Sequence, residues 1–225
     1  MSEKIKILIA DDHQLIIEGI LSYIKDVDNL DIETTNSCDE AYSKIKVALT
    51  ETPFQILFTD LSFDNATENS RIDSGENLIK TIKQEDIPIK VGVITGHSET
   101  NRVFNVIQNL NPNAYLLKGK CNTAELTFAI DKMLSGEVYY THEIHQKLLK
   151  RALIDIQMDD VAIQILKELP KHPKISNLEG IITKEDGSLL KIRSIENKLA
   201  KLRTDLQANN NTDLVLKAKE LGILD

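Results

Sequence analysis

Four short apolar runs in this chain each stop at a chemically active residue. Ile5-Lys6-Ile7-Leu8-Ile9-Ala10 runs into Asp11-Asp12, and Gln55-Ile56-Leu57-Phe58-Thr59 runs into Asp60. Val91-Gly92-Val93-Ile94 ends in Thr95, and Ala114-Tyr115-Leu116-Leu117 ends in Lys118. Apolar runs this short read as buried strands. Between them lie helical patterns at roughly 14–26, 38–50, 76–84, 99–109 and 122–134, with strands at roughly 4–10, 30–34, 55–59, 90–95 and 113–117. Strict strand–helix alternation predicts an α/β fold, a parallel sheet with helices on both faces. In such a sheet the carboxyl ends of the strands share one rim, where sites form. The rim would then collect three carboxylates, a hydroxyl and an amine. Carboxylates hold hard cations such as Mg²⁺, and one of them can carry a phosphoryl group. That chemistry points to a phosphorylation switch.

Charge is unevenly placed. Residues 1–150 hold 15 basic and 23 acidic residues, whereas residues 151–225 hold 12 of each. An acidic front suits a cation site, and a neutral back is unlike the basic surface usual in nucleic-acid binders. Cys38 and Cys121 show no metal-ligand spacing, so neither a disulfide framework nor structural zinc is expected, and a reducing compartment fits. No secretory signal and no membrane span is read, and the expected location is cytoplasmic.

Asn36-Ser37 and Asn122-Thr123 with Glu125 are candidate helix caps, and Gly136 should end the fifth helix. Phe63 to Ser74 is polar and aperiodic, longer than an ordinary strand–helix connection, and nearly without apolar side chains over 64–73. It reads as a loop that is mobile in the absence of phosphate. Beyond a linker at 137–157, with a helix near 142–154, four helices are expected: from about 158 to Leu169, Ser176–Ile182, Lys191–Gln207 and Asp213–Leu221. The third carries Ile192, Ile195, Leu199, Leu202 and Leu206 at spacings of three and four. Lys184-Glu185-Asp186-Gly187 is a turn signal.

Taken together, Asp11, Asp12, Asp60, Thr95 and Lys118 make residues 3–135 resemble the receiver domain of bacterial two-component response regulators. Asp12-His13, Gly19 and Ala114-Tyr115-Leu116-Leu117-Lys118 are similar to the subfamily with a LuxR-type helix-turn-helix output. The resemblance implies a flavodoxin-like (βα)5 sheet of order 2-1-3-4-5 over 1–136, followed by a small all-helical domain over 158–225. It implies Asp60 as phosphoacceptor, fed by a sensor histidine kinase. Mg²⁺ would be held by Asp12, Asp60 and the Ser62 carbonyl, with Asp11 acting mostly through water. Lys118 would pair with the phosphoryl group, Thr95 would donate to it, and Tyr115 would be the aromatic switch. His13 reads as a loop residue, not a ligand, and His97 as a minor gating residue. Self-phosphorylation and autodephosphorylation would be the only catalysis.

The back domain resembles the LuxR-type output more distantly, through Asp159, Ser194-Ile195, Leu206 and Thr212-Asp213-Leu214-Val215. Lys198 replaces the family's histidine, and a small insertion lies between Ile182 and Lys191. The resemblance implies double-stranded DNA as a partner and a homodimer on phosphorylation. Candidate DNA contacts are Lys191, Arg193, Ser194, Asn197, Lys198 and Lys201, with Arg203 also exposed and Glu196 opposing them. The alternative is a phosphorylation-controlled protein-interaction module that no longer binds DNA. Gly75 aligns with a glycine that normally follows the phosphoacceptor sooner, and Gly119 stands where many receivers carry proline.

Overall fold

The computed structural model describes residues 4–224 apart from Asp26 and Asn69. The expected domain limits at Met1 and Asp225, and the last residue of the expected first helix, Asp26, lie outside the described residues. The chain forms two compact units, one of residues 1–98 and 105–145 and one of 99–104 and 146–225.

The first unit is built on β1 (Ile5–Ala10), β2 (Leu30–Thr35), β3 (Ile56–Thr59), β4 (Lys90–Thr95), β5 (Ala114–Leu117) and a short β6 (Tyr139–Tyr140). These strands alternate with α1 (Gln14–Ile24), α2 (Cys38–Ala48), α3 (Gly75–Gln84), α4 (Thr100–Leu110, of which residues 100–104 are counted with the second unit) and α5 (Thr123–Leu134). The sheet order is β2-β1-β3-β4-β5-β6, all parallel. The expected 2-1-3-4-5 order is present, with Tyr139 and Tyr140 added beyond β5 by pairing with Ala114 and Tyr115.

Side-chain alternation sends Ile7, Ile9 and Phe58 to one face, where they join Ile20 and Ile24 of α1 and Leu126, Ile130 and Met133 of α5. Leu8 and Leu57 alternate to the opposite face and are equally buried. Helices α2 and α3 touch each other and bury Ala41, Ile45, Leu78 and Ile79. A sheet covered on both faces explains why its strands are continuous apolar runs. The helix starts follow the expected chemistry. Ser37 accepts from the Glu40 amide, Asn122 from that of Glu125, and Ser74 from that of Asn77. Gly136, at φ +81°, ends α5 in the left-handed region.

Register sets the rim. Ala10 lies opposite Thr59, and Thr59 lies opposite Val93. Thr95 lies opposite Leu117. One step further along each strand come Asp11, Asp60 and Lys118.

The long connection after Asp60, read from its polarity as a mobile loop, is anchored near both ends. Phe63 and Ile72 are buried, Ser62 bridges Ser74 across its base, and the Gly75 amide donates to the Leu61 carbonyl at 3.1 Å. Few apolar groups hold it because backbone amides do most of the anchoring.

The second unit contains α6 (His142–Gln157), α7 (Asp160–Glu168), α8 (Ile192–Asp205) and α9 (Asn211–Glu220). Its core gathers Ile165, Leu166, Leu178, Ile195, Leu199, Leu202 and Leu214. Where a helix is expected over Ser176–Ile182 there is only a 3₁₀ turn, Ile175–Leu178. Glu179 is extended and Gly180 sits at φ +86°, so helical backbone cannot continue past Leu178. A hairpin follows, with Thr183 bridged to Leu189 and Gly187 at φ +77° in its tip. Gln164 of α7 pins it by hydrogen bonds to the Thr183 amide and carbonyl.

Cys38 and Cys121 are free thiols. Burial, then the neighbouring Asp39, pushes the Cys38 thiol up to about 12; burial and then Glu125 push Cys121 up to about 11. Alkylation by iodoacetamide at pH 8 should therefore be slower at both than at an unperturbed thiol, measured by mass spectrometry of the native chain. Gly75 gives a sharper test of the rim. A Cβ there would lie 1.7 Å from the Asp60 carbonyl oxygen. Gly75→Ala should lower unfolding free energy by about 3 kcal/mol, the upper range for overpacking, in urea titrations.

Candidate functional site

Asp60 is buried immediately past β3, and its amide donates to the Ala10 carbonyl at 3.0 Å. Its Oδ1 accepts from the Leu61 amide at 2.6 Å, and its Oδ2 accepts from Lys118 Nζ at 2.8 Å. Lys118 Nζ also lies 2.6 Å from Asp11 Oδ2. Burial alone would lower the Lys118 pKa, but the carboxylates of Asp11 and Asp60 more than reverse this and raise it. Lys118 therefore remains charged at neutral pH.

Asp12 stands beside this bridge. Its Oδ2 accepts from the amides of Asp64 and Asn65 at 2.7 and 3.3 Å. Its Oδ1 is buried without a hydrogen-bond donor, although His13 Nδ1 lies 2.8 Å away. Asp11 Oδ2 likewise lacks a well-directed hydrogen bond despite the nearby ammonium. Ligand atoms of Asp11, Asp12, His13 and Asp60 all lie within 4.8 Å of one another. Three carboxylates thus face one ammonium, leaving negative charge uncompensated. Two like charges about 4 Å apart repel by about 4 kcal/mol at intermediate dielectric. The cluster has the donor chemistry of a divalent-cation site: hard oxygens, two of them lacking a directed donor.

His13 stands just before α1, as expected, with its own amide donating to Asp11 Oδ1 at 3.0 Å and its Nδ1 beside the carboxylates of Asp11 and Asp12 at 3.3 and 2.8 Å. The Ser62 hydroxyl and His97 Nε2 share a hydrogen bond at 3.0 Å.

Thr95 is fully buried, and its Oγ1 accepts from the His97 amide at 3.3 Å. Tyr115 is buried completely, already turned inward, and its hydroxyl donates to the His97 carbonyl at 3.0 Å. His97 therefore ties together the loop after Asp60, the end of β4 and the aromatic of β5. Its sequence neighbourhood marks it only as following Thr95.

In the second unit, Lys191, Arg193, Ser194, Asn197 and Lys201 are exposed along α8, as is Glu196. Lys198 and Arg203 are not freely projecting charges. Lys198 is paired with Asp159, the cap of α7, and Arg203 donates to Asn211 Oδ1 at 2.6 Å. Asp160, Glu185 and Asp186 line the same shallow depression as Asp159, with Lys184 as its one basic residue. An acidic patch thus lies near the helix carrying the basic candidates.

With fold and site in hand, the likeness to known proteins is specific. The family profile of the response regulator receiver domain matches residues 7–131, more than half of the chain. The chain belongs to the response regulator receiver family. The oxygen regulatory protein NreC of Staphylococcus haemolyticus is 26% identical over 231 residues, spanning 98% of this chain and 99% of that protein. A nitrate/nitrite response regulator homologue of Haemophilus influenzae is 26% identical over 161 residues, 72% of each chain. Among solved structures, the response regulator RcsB of Salmonella typhimurium aligns with a TM-score of 0.63 at 18% identity, over 97% of this chain and 99% of that one. A LuxR-family response regulator from Aurantimonas aligns with a TM-score of 0.55 at 21% identity, over 67% of this chain and 99% of that one. The fold is that of a receiver followed by a small all-helical segment in a helix-turn-helix-like arrangement. No helix among the described residues is long and apolar enough to cross a membrane.

Divalent cation at a hundredfold excess over Kd should stabilise the native chain by about 2.7 kcal/mol. The melting midpoint should rise by about 5 °C or more. Asp12→Asn and Asp60→Asn should each lose most of that rise in a calorimetric scan.

Proposed function

We propose that this chain is a phosphorylation-dependent transcription regulator that takes a phosphoryl group on Asp60 from the phosphohistidine of a sensor kinase. The observation that carries this reading is the Lys118 ammonium, 2.8 Å from Asp60 and 2.6 Å from Asp11 at the sheet rim. A carboxylate oxygen of Asp60 attacks phosphorus, the phosphorus–nitrogen bond breaks, and the departing imidazole takes a proton. The product is an acyl phosphate, which water later cleaves to restore Asp60 and release phosphate. Asp12 and Asp60, with the Ser62 carbonyl, are suited to hold Mg²⁺, and Asp11 to hold a water beside it. When bound, that ion supplies charge neutralisation for phosphoryl transfer. Lys118 pairs with one phosphoryl oxygen, and Thr95 donates its hydroxyl to another. In donating, Thr95 turns its lone pairs away from the His97 amide. The His97 carbonyl contact of Tyr115 then shifts with that loop. We divide the chain into a receiver over 1–136, a linker over 137–157 and an output domain over 158–225, and we place it in the cytoplasm.

Phosphorylation would favour a homodimer whose two α8 helices address two half-sites of double-stranded DNA. NreC and the nitrate/nitrite regulator homologue are described as regulators, and RcsB has been solved bound to DNA. Lys191 and Lys201 are suited to phosphates, and Arg193, Ser194 and Asn197 to positions nearer the base edges. Lys198 belongs to this set only if Asp159 releases it. A second reading draws on the acidic residues beside α8, the exposed Glu196 and the neutral charge over 151–225: a helical module that binds protein in place of DNA.

With acetyl phosphate and Mg²⁺, intact-mass measurement should show one added phosphoryl group on the native chain and none on Asp60→Asn. An unchanged product in that variant would refute the phosphoacceptor assignment. Titration of labelled upstream DNA at two salt concentrations should show phosphorylated protein binding more tightly than Asp60→Asn, with affinity falling as salt rises. Equal absence of binding alongside intact phosphorylation would select the protein-interaction reading.

A further inference from the structure

The connection after Asp60 is tethered at two carboxylates of the receiver. Its first limb reaches Asp12, whose Oδ2 accepts from the amides of Asp64 and Asn65 at 2.7 and 3.3 Å. Its second limb reaches Asp39 in the first turn of α2. There Oδ2 accepts from the Arg71 amide at 3.1 Å and Oδ1 from the Ile72 amide at 3.0 Å. Asn65 also donates its side-chain amide to the Asn36 carbonyl at 2.7 Å. Between the limbs the described contacts are local: Ala66 to the Phe63 carbonyl, and Ser70 to the Thr67 carbonyl. The stretch is thus stretched between Asp12 and Asp39, with Phe63 and Ile72 as its buried side chains.

The two ends are not equivalent. Asp39 uses both oxygens on the loop and has none left for the pocket. Asp12 gives Oδ2 to the loop and keeps Oδ1 in the acidic cluster, buried, without a directed hydrogen bond and 2.8 Å from His13 Nδ1. Two amides on one oxygen fix the carboxylate plane and leave the other oxygen to the pocket. Outer partners that orient a ligand in this way raise a site's cation affinity, because the ligand loses less freedom on binding.

We propose that Asp39 is a positioning residue for the acidic pocket. By clasping Arg71 and Ile72 it holds the 61–74 connection in place, and the Asp64 and Asn65 amides then orient Asp12 toward a divalent cation. Asp39 acts through the loop and touches no reacting atom. The same arrangement covers the Asp12 side of the pocket, slowing entry of the water that would hydrolyse the acyl phosphate. This inference rests on the reading of Asp12 as a cation ligand given above.

The test uses the full chain and Mn²⁺ as the probe, followed by water-proton relaxation. Asp39→Ala should weaken Mn²⁺ binding about 10-fold, the lower end of what losing an outer partner costs. Asp39→Asn keeps one acceptor for the loop and should fall between this variant and the native chain. Replacing residues 64–72 by two glycines removes the span between the two tethers and should weaken binding at least as much as Asp39→Ala. The phosphoryl lifetime after removal of acetyl phosphate should shorten in the same order. Mn²⁺ affinity within twofold of native in folded Asp39→Ala or in the folded loop replacement would overturn the proposal. On the unsubstituted chain, Mg²⁺ should slow hydrogen exchange at the Asp64 and Asn65 amides. Faster exchange there on adding the cation would equally overturn it, since Asp12 would then have released them. Failure of acetyl phosphate to label the native chain would strike the phosphoacceptor assignment, while the Mn²⁺ comparison would still decide the role of Asp39.

Discussion

The ammonium of Lys118, held between Asp11 and Asp60, is the contact on which the rest of the rim depends. A buried charge pair costs several kcal/mol of desolvation per ion, and only close geometry with further hydrogen bonds offsets it. Here the ammonium spans two carboxylates at 2.6 and 2.8 Å, and the Leu61 amide holds the remaining oxygen of Asp60. Without the ammonium, three carboxylates would face one another at the ends of two adjacent strands. With it, the rim is electrostatically tolerable yet still negative. That residual charge is what makes the pocket receptive to a divalent cation, and through it to a phosphoryl group.

Around that bridge the structure has two layers of control with different reach. One runs along the rim through backbone and hydroxyl groups: Thr95, His97 and Tyr115 are joined by hydrogen bonds, and Ser62 reaches the same histidine. A change at Asp60 therefore meets a connected set of groups at the ends of β4 and β5. The other layer is the long connection between Asp60 and α3, whose amides rest on Asp12 and Asp39. Its tolerance for polar sequence follows from its anchoring by main-chain donors, which any residue except proline can supply.

In the second unit, packing and electrostatics point different ways. The core is a single apolar cluster drawn from α7, the 3₁₀ turn, α8 and α9, and it presents one face of α8 outward. The outward face is mixed in sign, with Glu196 among the lysines and Lys198 drawn onto Asp159. The hairpin before α8 brings Lys184, Glu185 and Asp186 beside Asp159 and Asp160. Affinity for a phosphate backbone depends on cations that are not already neutralised, and Lys198 is not one of them.

Much of this was legible in the linear sequence. The apolar runs and their spacing specify the parallel sheet, because a strand buried on both faces has no room for polar side chains. The residue one step past each run specifies the rim chemistry, because parallel strands share a direction. What the sequence left open concerned contacts that no local pattern encodes. Polarity over 64–73 reads as freedom, yet the amides of Asp64, Asn65, Arg71 and Ile72 find carboxylates distant in sequence. The pairing of Lys198 with Asp159 depends on how α7 packs against α8. The second output helix failed because Gly180 takes a positive φ that side-chain periodicity does not reveal. Sequence alone determined which groups stand at the strand ends, since period and direction are properties of the backbone. Only the tertiary structure decided which of those groups are held, paired or left open, since that depends on donors and charges brought together from distant segments.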